Sequence, residues 1–342
     1  MPATYRSIVL ESPAANRPTV MSIPVRPPGP KEAAVRVNAA ALNHRDVWIA
    51  KGKYADIRYP VLPGSDGAGV VDEIGADVDP RWLGQKVVIN PTLSWGDDPR
   101  APTGDWRILG MPDAGTLAER VVVPASNLAA MPGHLSFEEA AALPLAGVTA
   151  YRALFTRGGL AQTPGVREKV LITGAGGGVA QFLILFALST GAIVYVTSRS
   201  DEKISRAVAA GAAGGANYED DQWAKKLTAS AGLFDLIVDS AGGAAIPKLC
   251  DLARPGGRLV FFGATVGDPP AMPLRKIFWR QLSLLGTTMG SPADFAGMLG
   301  LVSGQRLRPV IDTVYELANA DQAFHRMESA EQYGKIVLTV AK

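Results

Sequence analysis

One cysteine, Cys250, stands among 342 residues, so no intramolecular disulfide can form and no cysteine-rich zinc cluster can be built. An excess of charge of one sign is missing too. The formal net charge is +2, which leaves no electrostatic footprint for nucleic acid or for an anionic membrane. The most apolar run, residues 179–188, has half of the roughly 20 residues that a bilayer span needs and reads as a buried helix. Residues 1–11 show no apolar core flanked by basic residues and a small-residue cleavage site, so no signal peptide is expected and the cytoplasm is the expected compartment. No 20- to 50-residue period repeats. What is present is a globular composition, 47% hydrophobic and 19% charged, in a chain long enough for two domains.

Two textures divide the chain. Residues 1 to 130 are rich in Pro, Gly and Val, with short strand-like runs at 33–38, 67–74, 85–90 and 119–124. From 165 to 290, buried-strand runs at 169–173, 192–197, 234–239 and 257–262 alternate with helix-length segments. That order predicts a parallel, doubly wound sheet with right-handed crossovers. A strand-like end at 281–286, a helix from Ala293, a run at 312–315, a helix near Ala320 and a strand at 335–340 follow, and these last elements are expected to return to the first domain.

The run 169–173 leads into Gly174-Ala-Gly-Gly177-Gly178-Val179-Ala180 and then directly into an apolar helix. A strand, glycine turn and helix offer a phosphate exposed backbone N–H groups, a helix N-terminus and an approach free of Cβ atoms. A tight structural turn is the plain alternative. At the end of the next strand, Ser198-Arg199-Ser200 with Lys203 replaces the acidic residue that binds the ribose hydroxyls of NAD, which points to the 2′-phosphate of NADPH. Asp201 and Glu202 read as helix-dipole partners.

Taken together, Asn43-His-Arg-Asp46, Pro63-Gly-Ser-Asp-Gly67-Ala-Gly69, Gly115-Thr-Leu-Ala-Glu119, Glu138-Glu-Ala-Ala-Ala-Leu-Pro144, Gly147-Val-Thr-Ala-Tyr151, the glycine loop, Pro255-Gly-Gly257 and Gly334-Lys-Ile-Val337 resemble the medium-chain dehydrogenase/reductase superfamily over nearly the whole chain. The resemblance implies an α/β protein: a discontinuous GroES-like β-rich catalytic domain, residues 1–127 and 307–342, and a Rossmann NADP-binding domain, residues 128–306, with the active site in the cleft. The alcohol dehydrogenase branch carries a cysteine and a Gly-His-Glu as zinc ligands. Here those positions hold Asn43 and Gly64-Ser65-Asp66, and residues 91–115 lack the four cysteines of that branch's structural zinc. No metal is therefore expected, and the chain is similar to the zinc-free quinone oxidoreductase and enoyl reductase branch.

By the same resemblance, Tyr54 matches a proton donor and Asn43 is placed to hydrogen-bond the nicotinamide ribose or a substrate oxygen. Asp46 matches a structural position, and Arg45 replaces the hydroxyl of the zinc enzymes' proton relay. Expected cofactor contacts are Thr149, Gly174, Gly177, Gly178, Val179, Ser198, Arg199, Lys203, Tyr218, the Phe262-Gly263 backbone and Lys335, the last near the phosphates or ribose. The expected activity is NADPH-dependent reduction of a small electrophile, an α,β-unsaturated carbonyl or a quinone. A metal-independent alcohol or carbonyl dehydrogenase and a non-catalytic NADPH-binding sensor are the alternatives. The apolar segment 278–286 matches the edge through which relatives pair, so a homodimer is expected.

Overall fold

The computed structural model describes residues 3–12, 17–161, 165 and 167–340. The chain forms two compact units: unit 1 comprises residues 1–146 and 291–342, and unit 2 comprises residues 147–290. In unit 1 a hairpin of β1 (Thr4–Val9) and β2 (Thr19–Pro24) precedes β3 (Glu32–Ala41), β4 (Asp66–Ile74), β5 (Lys86–Ile89), the short pair β6 (Thr92–Leu93) and β7 (Arg107–Ile108), β8 (Arg120–Pro124) and β9 (Leu128–Ala130). Unit 2 holds β10 (Lys169–Ile172), β11 (Ile193–Ser198), β12 (Gly214–Asn217), β13 (Phe234–Asp239), β14 (Ala253–Phe261) and β15 (Ser283–Gly286). The chain then returns to unit 1 with β16 (Ile311–Glu316) and β17 (Lys335–Thr339).

The main sheet of unit 1 runs β16-β17-β3-β4-β5-β9, with β8 also paired to β3. In β3 the alternation Val35, Arg36, Val37 puts both valines in the core and the guanidine outside, as a period of two requires. Irregular register between Val37 and Ala39 then lets three consecutive alanines, 39 to 41, lie fully buried. The C-terminal strand pairs antiparallel with that end of β3, Val337 opposite Ala41 and Thr339 opposite Ala39. Ile336 and Leu338 join Ile8, Val35, Val37, Val71, Ile89 and Leu117 in one core, so both chain ends serve a single unit.

The chain passes from one unit to the other at other residues than the resemblance implied. β9 lies beyond the expected boundary at 127 yet pairs with β5, and the helix Phe137–Ala142 packs on β3, β4 and β17. Backbone pairing thus draws the segment 128–146 into unit 1, and the helix Pro292–Gly304 also belongs there.

Unit 2 is a parallel sheet in the order β12-β11-β10-β13-β14-β15. This is the doubly wound Rossmann order, in which the chain moves outward from β10 to one edge, then restarts beside β10 with β13. Its central strands carry the continuous apolar stretches 170–172 and 236–238 because both faces are covered. All six residues of β13 are buried. The helix Gly178–Ser189 buries Phe182, Leu183, Ile184, Phe186 and Ala187 against the sheet, as the run 179–188 required. Among the described residues no helix is long and apolar enough to cross a membrane.

A buried carboxylate ties the C-terminal elements together. Asp312 of β16 accepts hydrogen bonds from Arg326 on the helix Ala320–Glu328, from the Tyr333 backbone N–H at 2.9 Å and from the Thr313 hydroxyl. Burial alone would raise its pKa, but these donors outweigh it and hold the carboxyl below its ordinary 3.8. An acid with a depressed folded pKa contributes stability that is complete above the ordinary carboxylate range and is lost as pH falls toward the folded pKa. Asp312→Asn should therefore cost about 1–3 kcal/mol at pH 7. In urea unfolding at pH 7 and at pH 3, the gap between variant and wild type should shrink at the lower pH.

Candidate active site

Three adjacent strands of unit 1 bring distant residues to one buried point. Asn43 follows β3 and precedes the helix His44–Ala50, Asp66 opens β4 and Lys335 opens β17. Lys335 Nζ donates to the Leu42 carbonyl at 2.7 Å, to Asn43 Oδ1 at 2.7 Å and to Asp66 Oδ2 at 2.8 Å. Asn43 Nδ2 donates to the same Asp66 oxygen at 2.9 Å. The Leu145 backbone N–H donates to Asp66 Oδ1 at 2.7 Å. Lys335 is 2% exposed, Asn43 7% and Asp66 0%. Lys335 was expected near the cofactor's phosphates or ribose. The structure places it inside unit 1 with all three donors spent, because it is the first residue of a strand that lies beside β3.

Asp46 fixes the helix that follows. Its carboxylate accepts from the Asn43 backbone N–H at 2.8 Å and from the Gly64 N–H at 3.3 Å, and burial raises its pKa against the opposing effects of Arg45 and the Asn43 N–H. Arg45, also buried, donates to Ser65 Oγ at 2.7 Å and to the Leu109 carbonyl at 2.9 Å, and its guanidinium lies 5.1 Å from the Tyr54 ring centroid. Tyr54 is half-buried against the core of unit 1, and its hydroxyl has no hydrogen bond among the described residues. His44 opens the helix beside Asn43 and is partly exposed to solvent. Lost hydration around the ring, and then the charge of Lys335, keep its pKa below the ordinary 6.5, so it is neutral at pH 7.

In unit 2 the parallel order gathers the other expected residues on one sheet edge. Gly174 follows β10, Ser198 ends β11 with Arg199 next to it, Tyr218 follows β12, and Phe262 and Gly263 follow β14. Gly174 adopts φ 70°, a conformation that favours glycine. Gly177 has an ordinary φ of −73°, and a Cβ there would meet nothing nearer than the Gly174 carbonyl oxygen at 3.5 Å. The protein's own packing therefore does not require a glycine at 177. The open space suits a dinucleotide phosphate at the start of the helix that holds Gly178 and Val179 in its first turn. Ser198 is buried, its hydroxyl accepting from the Ser200 N–H at 3.1 Å, whereas Arg199 is exposed, its carbonyl accepting from Asn217 Nδ2 at 3.2 Å and its guanidinium having no partner among the described residues. Ser200 caps the helix Asp201–Ala209 by accepting from the Lys203 N–H at 3.3 Å. Asp201 accepts from Asn217 Nδ2 at 3.0 Å. Tyr218 is 44% exposed, and Thr149, on the helix Pro144–Tyr151, is 5% exposed.

Residues 29–133 match the alcohol dehydrogenase GroES-like domain and residues 178–304 the zinc-binding dehydrogenase family. The "Zinc-type alcohol dehydrogenase-like protein YogA" of Leptosphaeria maculans is 36% identical over 92% of both chains. The chain belongs to the medium-chain dehydrogenase/reductase superfamily. It is an oxidoreductase of the kind that binds a nicotinamide cofactor. The "Acryloyl-coenzyme A reductase" of Sulfurisphaera tokodaii is 27% identical, over 92% of this chain and 94% of that one. A solved structure described as an NAD-dependent alcohol dehydrogenase superposes with a TM-score of 0.90 at 38% identity, covering 98% of this chain and all of the other.

Two of these names carry zinc, and the chemistry of the donor set bears on it. The Asn43 amide is held between Asp66 and Lys335, and the Ser65 hydroxyl accepts from Arg45 while donating to the Leu109 carbonyl at 2.7 Å. The Asp66 carboxylate already carries an ammonium counter-charge. Amide and hydroxyl are poor zinc ligands, and here both are engaged beside two cations. These residues do not fit a catalytic zinc. The glycine loop, by contrast, fits a dinucleotide. Gly177→Ala should leave thermal unfolding within about 0.5 kcal/mol of wild type. It should weaken dinucleotide binding at least tenfold in a fluorescence titration.

Proposed function

We propose that the protein reduces an α,β-unsaturated carbonyl or a quinone with NADPH and without a metal. The observation that carries this reading is the Asn43 amide, fixed between Asp66 and Lys335 where the alcohol dehydrogenase branch has a zinc-binding cysteine. When bound, NADPH supplies a hydride to the β carbon of the conjugated acceptor and becomes NADP+, while the double-bond electrons move to the carbonyl oxygen as an enolate. Asn43 offers an N–H to that oxygen, and Tyr54 is the source of the proton that the α carbon then takes. The Arg199 guanidinium, exposed and without a partner among the described residues, with Lys203 in the next helical turn, supports a 2′-phosphate and hence NADPH. Relatives named "Acryloyl-coenzyme A reductase" and "Quinone oxidoreductase-like protein 2" support the acceptor class.

A second reading has its own support. The solved neighbour at 38% identity is described as an NAD-dependent alcohol dehydrogenase, which favours oxidation of an alcohol or reduction of a simple carbonyl. A steady-state screen of enones, enoyl thioesters, quinones and saturated aldehydes, with NADPH and NADH and a zinc assay on the same sample, separates the two. Conjugated acceptors should be turned over at least tenfold better than saturated aldehydes, with less than 0.1 equivalent of zinc. Tyr54→Phe should lower kcat about 100-fold. Arg199→Asp should reverse the cofactor preference. Equal rates on saturated aldehydes, or one equivalent of zinc, would remove the proposal.

We propose in addition that two copies pair through β15. It is an edge strand, and Leu274, Phe278 and Trp279 on the neighbouring helix are 67%, 66% and 82% exposed, an apolar surface that a second copy would cover. Equilibrium sedimentation should give twice the 35.9 kDa chain mass, and a monomer would refute it.

A further inference from the structure

The cluster around Asn43 determines which way its amide faces. Lys335 Nζ needs an acceptor and Asp66 needs donors, so Asn43 must turn its oxygen to the ammonium and its nitrogen to the carboxylate. The flipped amide would set NH2 against NH3+ and a carbonyl against a carboxylate. The backbone secures this arrangement, because Leu42 accepts from Lys335 through its carbonyl and donates to the Ile336 carbonyl through its N–H at 3.0 Å. An amide nitrogen has two hydrogens, and one goes to Asp66. The second has no acceptor among the described residues, although Asn43 is 93% buried. An ion pair alone would join β17 to β4, and an unpaired amide hydrogen inserted into it costs free energy. Such a hydrogen is of use where a ligand oxygen supplies the missing acceptor.

We propose that Lys335 is a positioning residue. With Asp66 it locks the Asn43 amide so that the free Nδ2–H is held ready for the substrate oxygen on which negative charge develops. The inference rests on the reductase reading above. Lys335 touches no substrate and acts only through Asn43, and its value is pre-organisation: the donor needs no reorientation as the enolate forms. A neutral or acidic residue at 335 would not serve the same purpose. Methionine lacks the charge that sets the amide's direction, and an acid would repel Asp66.

The test is a thermodynamic cycle in which the buried pair is removed as a unit, so that no lone charge is left in the core. The enzymes compared are wild type, Asn43→Ala, the double variant Lys335→Met with Asp66→Leu, and the triple variant. All four should bind NADPH alike in a fluorescence titration. Asn43→Ala and the double variant should each lower kcat with cyclohex-2-enone about 10- to 100-fold, and the triple variant should be no slower than Asn43→Ala. An undiminished kcat in the double variant, or a further equal loss in the triple variant, would overturn the proposal. A second readout needs no turnover. In the 15N spectrum of the wild-type protein, identified by its loss in Asn43→Ala, the Asn43 side-chain amide should show one proton moving downfield when NADP+ and 4-phenylbut-3-en-2-one are added together. If that shift appears but no enone or quinone consumes NADPH, the reductase reading falls and the positioning role stands. Absence of the shift overturns the positioning role whatever the activity.

Discussion

The ion pair between Lys335 and Asp66 is the contact on which unit 1 depends. It joins the first residue of the last strand to the first residue of β4, 269 positions apart, at a point where neither side chain reaches water. A buried pair of this kind is stable only when the remaining lone pairs and protons are satisfied. Here Leu42, Asn43 and Leu145 complete the set. The pair holds both chain ends in one sheet, neutralises a carboxylate beside the candidate site and directs the Asn43 amide. The cation beside Asn43 and Asp66 is an ammonium covalently tied to a strand, which links the site's electrostatics to the fold itself.

Unit 2 obeys a different constraint. Its strands are parallel, so their C-terminal ends must share an edge, and every turn there becomes part of one surface. The Gly174 turn, the Ser198–Arg199 end and the Tyr218 position are brought together by strand order alone. Asp239, at the end of β13, accepts from the Thr173 hydroxyl at 2.7 Å and from the Ala241 and Gly242 N–H groups, and so braces the turn after β10 from the adjacent strand. Gln181 also reaches back from the helix to the Ala175 carbonyl. The loop is thus held from both sides, while the positions facing outward stay clear of side chains.

Strands with strong patterns were legible. Runs such as Val-Leu-Ile at 170–172 and the alternation around Val35 appear where expected, because burial on two faces or on one leaves distinct periodicities. β12, Gly-Gly-Ala-Asn, carries no strand-forming residue and leaves no local pattern in the sequence. It exists because Gly215 allows close approach to β11, where a Cβ would stand 2.7 Å from the Val196 carbonyl oxygen. The place of β9 and the helix after it in unit 1 is equally silent in the sequence, because pairing with β5 is a long-range choice that leaves no local mark.

What the sequence by itself determined is the class of the protein: local glycine chemistry and strand–helix alternation specify a dinucleotide fold, and missing cysteines specify an altered site. These are properties of residues near one another in the chain, or of residues that are absent altogether. Tertiary structure alone decided what replaces the missing ligands. Lys335 reads in sequence as a surface lysine suited to a phosphate, and Arg45 as a mere departure from a relay. Only the antiparallel pairing of β17 with β3, and of β3 with β4, shows that one is a buried counter-ion and the other a staple beneath Tyr54. The physical reason is that a charge finds its partner in space, and in this fold the partners are separated by 20 to 293 residues of chain.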